Sequence, residues 1–240
     1  MITLHADIVG SLLRPIDLLE ARIRLAAGEL DPARFKEIED RAVDEAIALQ
    51  EAAGLEVVTD GEMRRQSFQS QMSAAVEGFG EFGIDAFLWG EWYDAKGVHR
   101  KARPHNIGAT AKLVRQRSLS AHEFIYLKSK TTRLPKITLP SPGLWANFWS
   151  REYSSDFYPT LDSFLADVVQ ILRAEVQELV RHGALYIQID APHYGLLLDP
   201  KTRAFYEQQG WKLSRWLAQG IELDNAIVDG FPGVTFALHL

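Results

Sequence analysis

Twice in this chain a long amphipathic stretch runs directly into a short apolar segment that ends on a carboxylate, and this repetition restricts the fold more than any other feature. The first copy begins at Asp31–Pro32, where Asp31 suits a helix N-cap and Pro32 the first helical position. Phe35, Ile38, Ala42, Ala46 and Leu49 then recur at helical spacing until Gly54 stops the run. Leu55, Val57 and Val58 read as a short buried strand that turns acidic at Asp60–Gly61–Glu62. In the second copy Asp162 caps a helix carrying Phe164, Leu165, Val168, Val169, Leu172, Val176, Leu179 and Val180. Gly183 ends it, and Leu185–Ile189 is a strand closed by Asp190. A weaker third copy pairs a helix over Trp211–Leu217 with a strand over Gly233–Leu240 that reaches His239. Strands are also predicted at Asp7–Ser11 and Lys136–Pro140.

Helix and strand alternating through short links predict a parallel sheet. At 240 residues the chain is near the length of one α/β barrel, which typically needs about 250. The expected fold is therefore one TIM-type (β/α)8 barrel domain over residues 1–240, incomplete, with roughly six of the eight β/α units present. The stretch from about 79 to 104 breaks the pattern. It is rich in glycine and aromatics (Phe79, Phe82, Phe87, Trp89, Trp92, Tyr93) without a clean period, and is expected to be an irregular excursion holding a small hairpin. An open sheet of six strands would leave apolar faces and edges uncovered, so association with another copy is expected.

Charge and residue usage narrow the partners. A formal net charge of −6 disfavours nucleic acid and anionic membranes. No apolar run approaches the roughly 18 residues of a membrane span. The first residues, Met1 to Asp7, lack a signal-peptide pattern, so a cytoplasmic location is expected. Without cysteine, these 240 residues offer no disulfide, thiolate nucleophile or cysteine-ligated zinc. There is no glycine-rich phosphate loop, Gly-x-Ser-x-Gly elbow or His-Glu-x-x-His pair, so hydride transfer and serine hydrolysis have no support.

Active sites of α/β barrels lie at the C-terminal strand ends, where Gly10–Ser11, Asp60, Glu62, Ser141, Asp190 and His239 fall. Each also has a structural reading. Ser11 can cap the next helix, Asp60 and Glu62 are ordinary turn residues, and His239 can be a satisfied core imidazole. Asp190 is harder to dismiss, because a carboxylate closing a doubly buried strand is costly unless paired or used. Arg14, Arg64 and Arg65 fit either anion binding or ion pairing with Asp60, Glu62 or Asp190. Trp145, Phe148, Trp149 and Tyr153 offer rings for stacking or for packing.

The ordered set Gly10–Pro15, Thr59–Arg65, Leu139–Pro142, Ile187–Pro192 and Leu238–Leu240 resembles the cobalamin-independent methionine synthase family, in its short single-barrel members. The resemblance implies a TIM-type barrel that transfers a methyl group from polyglutamylated 5-methyltetrahydrofolate to the thiol of homocysteine on a zinc ion, giving methionine. It implies that Gly10, Ser11 and Glu62, with Asp60 beside them, hold the amino acid, and that Asp190 takes its ammonium group. By the same likeness Trp149 sits near the pterin and His239 is the first zinc ligand. In the family the histidine belongs to a His-x-Cys pair completed by a glutamate and a second cysteine, whereas this sequence stops at Leu240. The expectation is that these 240 residues alone neither bind zinc in the family manner nor turn over. Two alternatives stand beside this: a thiol alkyltransferase using coenzyme M with a non-folate electrophile, and a non-catalytic relative that binds an amino acid or pterin.

Overall fold

The computed structural model describes residues 6–68, 70–81, 90–93, 96–102, 107–208 and 212–240. Along the chain run α1 (Ile16–Ala26), α2 (Pro32–Ala52), β1 (Val57–Val58), α3 (Ser70–Ala75), β2 (Val76–Glu81), β3 (Gly90–Tyr93), β4 (His99–Ala102) and β5 (Ile107–Arg115). They are followed by α4 (Ala121–Lys130), β6 (Leu134–Pro140), a 3₁₀ turn over Pro142–Phe148, α5 (Arg151–Ser154), α6 (Leu161–Arg181), β7 (Tyr186–Asp190), α7 (His193–Leu196), α8 (Pro200–Gln208), α9 (Leu213–Val228) and β8 (Thr235–His239).

β1, β6, β7 and β8 form one parallel sheet in that spatial order. Each new strand joins on the same side of the last, and each is preceded by its helix: α2, α4, α6 and α9. Those helices pack on one another in the same sequence. A sheet growing in one direction inside a ring of helices is a barrel segment, as the alternation predicts, and it is not closed. Among the described residues the parallel sheet has four strands, fewer than the six counted in the sequence.

The sheet's chemistry follows from its burial. β7 is buried along its whole length, whereas β8 is half-exposed and forms an edge of the sheet. α6 is locked at its start by a capping box between Thr160 and Ser163. Its apolar face, from Phe164 to Leu179, centres the larger core cluster with Ile137, Leu139, Ile187 and Ile189. A smaller cluster joins Leu18, Val43, Ile47, Val58 and Met63. Among the described residues no helix is long and apolar enough to cross a membrane.

One strand expectation changes. Residues 6–9 form no ladder strand. That segment is held instead by side chains from the sheet: Lys136 Nζ donates to Asp7 and to Ile8 O, and Gln188 Nε2 donates to Val9 O. The excursion holds the expected small hairpin and is framed by a second antiparallel pair. β2 and β5 form an antiparallel pair and β3 and β4 a small hairpin. A bulge between Glu77 and Phe79 disrupts the two-residue period there. It is centred on Gly78 at φ 108°, where a Cβ would meet Lys112 O at 2.6 Å. Phe82, Phe87, Trp89 and Trp211 lie outside the described residues.

Candidate functional site

Parallel register places the strand ends side by side: Pro140 pairs with Asp190, and Asp190 with His239. Val9, Gly10, Ser11, Glu62, Phe68, Asp190, Pro192 and His239 line a cleft of about 330 Å³ there. Five of those, Gly10, Ser11, Glu62, Asp190 and His239, are residues the sequence singled out.

One wall is built on Glu62. Ser11 Oγ donates to its Oε2, Thr138 Oγ1 donates to Oε1 at 2.6 Å, and Arg65 Nη1 approaches Oε1 at 3.3 Å. Gly10 is required beside it, since a Cβ there would lie 2.7 Å from Oε1. Gly61 and Glu62 both have positive φ, 67° and 54°. That is costly for glutamate, so the turn must be held from outside. Arg14 donates to Glu62 O and Arg65 O, and Arg22 to Met63 O and Arg65 O. Burial alone would raise the Glu62 pKa, but Arg65 above all, then Ser11, Thr138 and Arg14, hold it below the ordinary range. Glu62 is therefore a carboxylate at neutral pH.

The opposite wall is Asp190 and His239. Asp190 Oδ1 accepts from Gln188 Nε2 at 2.7 Å and meets His239 Nδ1 at 3.1 Å. Burial raises the Asp190 pKa, Glu62 adds to this, and Gln188 and His239 oppose it.

Asp60 does not line this cleft. It is fully buried behind it, where Oδ1 accepts the Glu62 amide at 2.9 Å and Oδ2 has no partner. The two left-handed residues that follow swing Glu62 into the cleft and leave Asp60 behind. Burial and the neighbouring Glu123 push Asp60 up to about 6, against the pull of Arg65. Trp149 is also elsewhere. Its Nε1 donates to Tyr158 O at 2.9 Å, and it lines a second cleft with Arg151, Lys212, Arg215 and Trp216. The three arginines are engaged by the protein: Arg64 pairs with Glu39 and Asp40, Arg65 with Glu123 and Glu62, and Arg14 with carbonyls. Ion pairing prevails for Arg64 and Arg65, mostly with partners the sequence did not suggest, and Arg14 holds backbone instead.

The sequence missed a second buried polar group nearby. Asp224 accepts from Ser141 Oγ at 2.6 Å and from Tyr194 OH at 2.8 Å, tying α9 to the ends of β6 and β7. Beside it His193 is buried with no hydrogen-bond partner on either ring nitrogen. Its position three residues after the strand-closing Asp190 was the available signal.

Zinc, implied by the resemblance, needs about four N, S or O ligands converging on one point. Among the described residues no three His, Asp or Glu side chains are so arranged, and His239 has its Nδ1 against Asp190. Among the described residues these side chains do not make the site by themselves.

Two carboxylates and an imidazole around a small cleft suit a ligand with a compact positive group. Comparison with known proteins agrees with the setting. The family model described as cobalamin-independent synthase, catalytic domain, matches residues 4–230. A protein named methionine synthase from Pyrococcus horikoshii is 32% identical over 190 residues, which are 79% of this chain and 52% of that protein. Protein YxjH of Bacillus subtilis, itself uncharacterized, is 26% identical over 239 residues, 98% of this chain and 61% of that one. A Listeria monocytogenes structure described as a vitamin-B12 independent methionine synthase shares the fold, with a TM-score of 0.72 at 19% identity, over 99% of this chain and 65% of that one. The chain thus spans between 52% and 61% of the length of these curated relatives. With the strand-end cleft at the position where such barrels carry their sites, and the family model matching nearly the whole sequence, the chain belongs to the cobalamin-independent synthase catalytic-domain family.

Proposed function

We propose that this chain provides the amino-acid-binding part of a cobalamin-independent methyltransferase that methylates the thiol of homocysteine to give methionine. The observation that carries this is the pair of carboxylates, Glu62 and Asp190, on opposite walls of the strand-end cleft. An α-ammonium group between them satisfies both, and it offsets the burial and, after it, the Glu62 charge that raise Asp190. Ser11 fixes the Glu62 carboxylate, and Gly10 lets the backbone approach it. Coenzyme M is disfavoured because its sulfonate would meet two carboxylates.

Methyltetrahydrofolate is the proposed donor, as the family resemblance implies. The second cleft supports it with the Trp149 ring and the cations Arg151 and Lys212, while Arg215 there is paired with Asp162. Thiol activation by zinc would need ligands beyond those gathered among the described residues, of which His239 is the proposed one.

Calorimetric titration of the chain with L-homocysteine and with N-acetyl-L-homocysteine tests the reading. Binding of the first and not the second is expected, with about a tenfold to hundredfold loss in Glu62→Gln. Equal affinity for the two compounds would overturn it.

A further inference from the structure

The inward-facing side chains beneath the cleft form one hydrogen-bonded line. Lys136 is fully buried on β6, and its ammonium donates to Asp7 Oδ2 at 2.9 Å, to Ile8 O and to Gln188 Oε1 at 2.9 Å. An ammonium has three protons to give and no lone pair to accept with. All three are placed, so the oxygen of the Gln188 amide must face Lys136. The orientation of that amide is thereby fixed by chemistry. Its NH2 group then points the other way and has two acceptors, Val9 O at 2.6 Å and Asp190 Oδ1 at 2.7 Å. Asp190 Oδ1 also meets His239. Among the described residues Asp190 Oδ2 has no hydrogen-bond partner.

We infer that Gln188 is the positioning residue of the strand-end cleft: its amide, oriented by Lys136, joins the Val9–Ser11 wall to the Asp190–His239 wall and leaves one Asp190 oxygen open to a ligand. Gln188 does not line the cleft, so it acts through Asp190 and Val9. A glutamine on a buried parallel strand could simply be satisfied locally. Here each of its three polar contacts goes to a different element of the site, one of them 179 residues away. The charged groups that act on Asp190 are Glu62 from the loop after β1, His239 from β8, and Lys136 on β6 through the Gln188 amide.

The inference rests on the proposed amino-acid site for its consequence but not for its test. The first readout is the Gln188 side-chain amide in the ligand-free chain, followed by NMR. With its oxygen on Lys136 and its NH2 group shared between Val9 O and Asp190 Oδ1, both NH2 protons should be protected from solvent exchange. Lys136→Met frees the amide to rotate and should speed that exchange by about tenfold or more. The second readout is L-homocysteine affinity, expected to fall about tenfold in Gln188→Met at pH 7. Fast exchange of the wild-type amide, or exchange unchanged in Lys136→Met, overturns the positioning role whether or not the wild-type chain binds homocysteine. A wild-type chain that ignores homocysteine, with the amide protected and released as stated, refutes the proposed substrate and leaves Gln188 standing.

Discussion

Asp60 gives the sharpest quantitative expectation. It is fully buried, has one oxygen without a partner, and is pushed from an ordinary 3.8 up to about 6 by burial and by Glu123. A carboxyl whose folded pKa lies above its unfolded one holds its proton longer in the folded state. The folded state therefore binds more protons than the unfolded chain between pH 3.8 and 6, and stability falls as pH rises through that window. Moving a carboxyl by that amount corresponds to about 3 kcal/mol, at about 1.4 kcal/mol per pH unit. Asp60→Asn removes the titration. Its carbonyl can still accept the Glu62 amide, while its NH2 occupies the orphan position at a pH-independent cost of about 1–3 kcal/mol. The stability difference between variant and wild type should thus move in favour of Asn by about 2.4 kcal/mol from pH 4 to pH 7.5. Urea denaturation at both pH values measures it. A difference that does not change with pH, or that moves toward the wild type, would show that Arg65 rather than burial controls Asp60, and the reasoning would fail.

Gly10→Ala should force Glu62 aside, because the new Cβ would sit 2.7 Å from its Oε1 and 3.2 Å from Thr138 Cγ2. The expected loss is about 1–3 kcal/mol in thermal or chemical denaturation. His193 is pushed down to about 4 by burial, so the unfolded chain takes up its proton first as pH falls below 6.5. Relative to His193→Met, the wild type should lose about 3 kcal/mol between pH 7.5 and pH 4, and parallel stability curves for the two would count against it. Arg65→Met leaves Glu62 and Glu123 buried without their cation and should cost about 3–5 kcal/mol. Adding Glu123→Gln should recover part of that loss in the same denaturation assay.

The parallel strands were legible because each is an apolar run bracketed by a glycine or turn and a polar residue. That is the signature of a strand buried on both faces with its end at a site, and Glu62, Asp190 and His239 were found this way. Asp60 and Glu62 look equivalent in sequence, and only the left-handed pair Gly61–Glu62 decides which one reaches the cleft. Residues 6–9 look like a strand but are bonded by Lys136 and Gln188, and side-chain capture leaves no period to read. Glu123 and Glu175 sit on the apolar faces of α4 and α6. Glu175 accepts from the amides of Leu119, Ser120 and Ala121. A carboxylate in an apolar stripe was a visible clue to such buried partners. The Ser141–Asp224–Tyr194 group joins residues far apart in the chain and left no local mark.

The bonds that shape the cleft reach across most of the chain, from Val9 to Gln188 and from Asp7 to Lys136. Closing loops of this length costs chain entropy before any contact repays it, which places such contacts late and makes them slow. The helices and the adjacent strand pairs have short-range partners to form on. Both walls of the cleft come together only once residues 7–11 have docked onto a sheet that already contains β7. A cation that bridges Glu62 and Asp190 would therefore bind no partly folded form, and the time course of its binding after dilution from denaturant would report the final docking of the N-terminal segment.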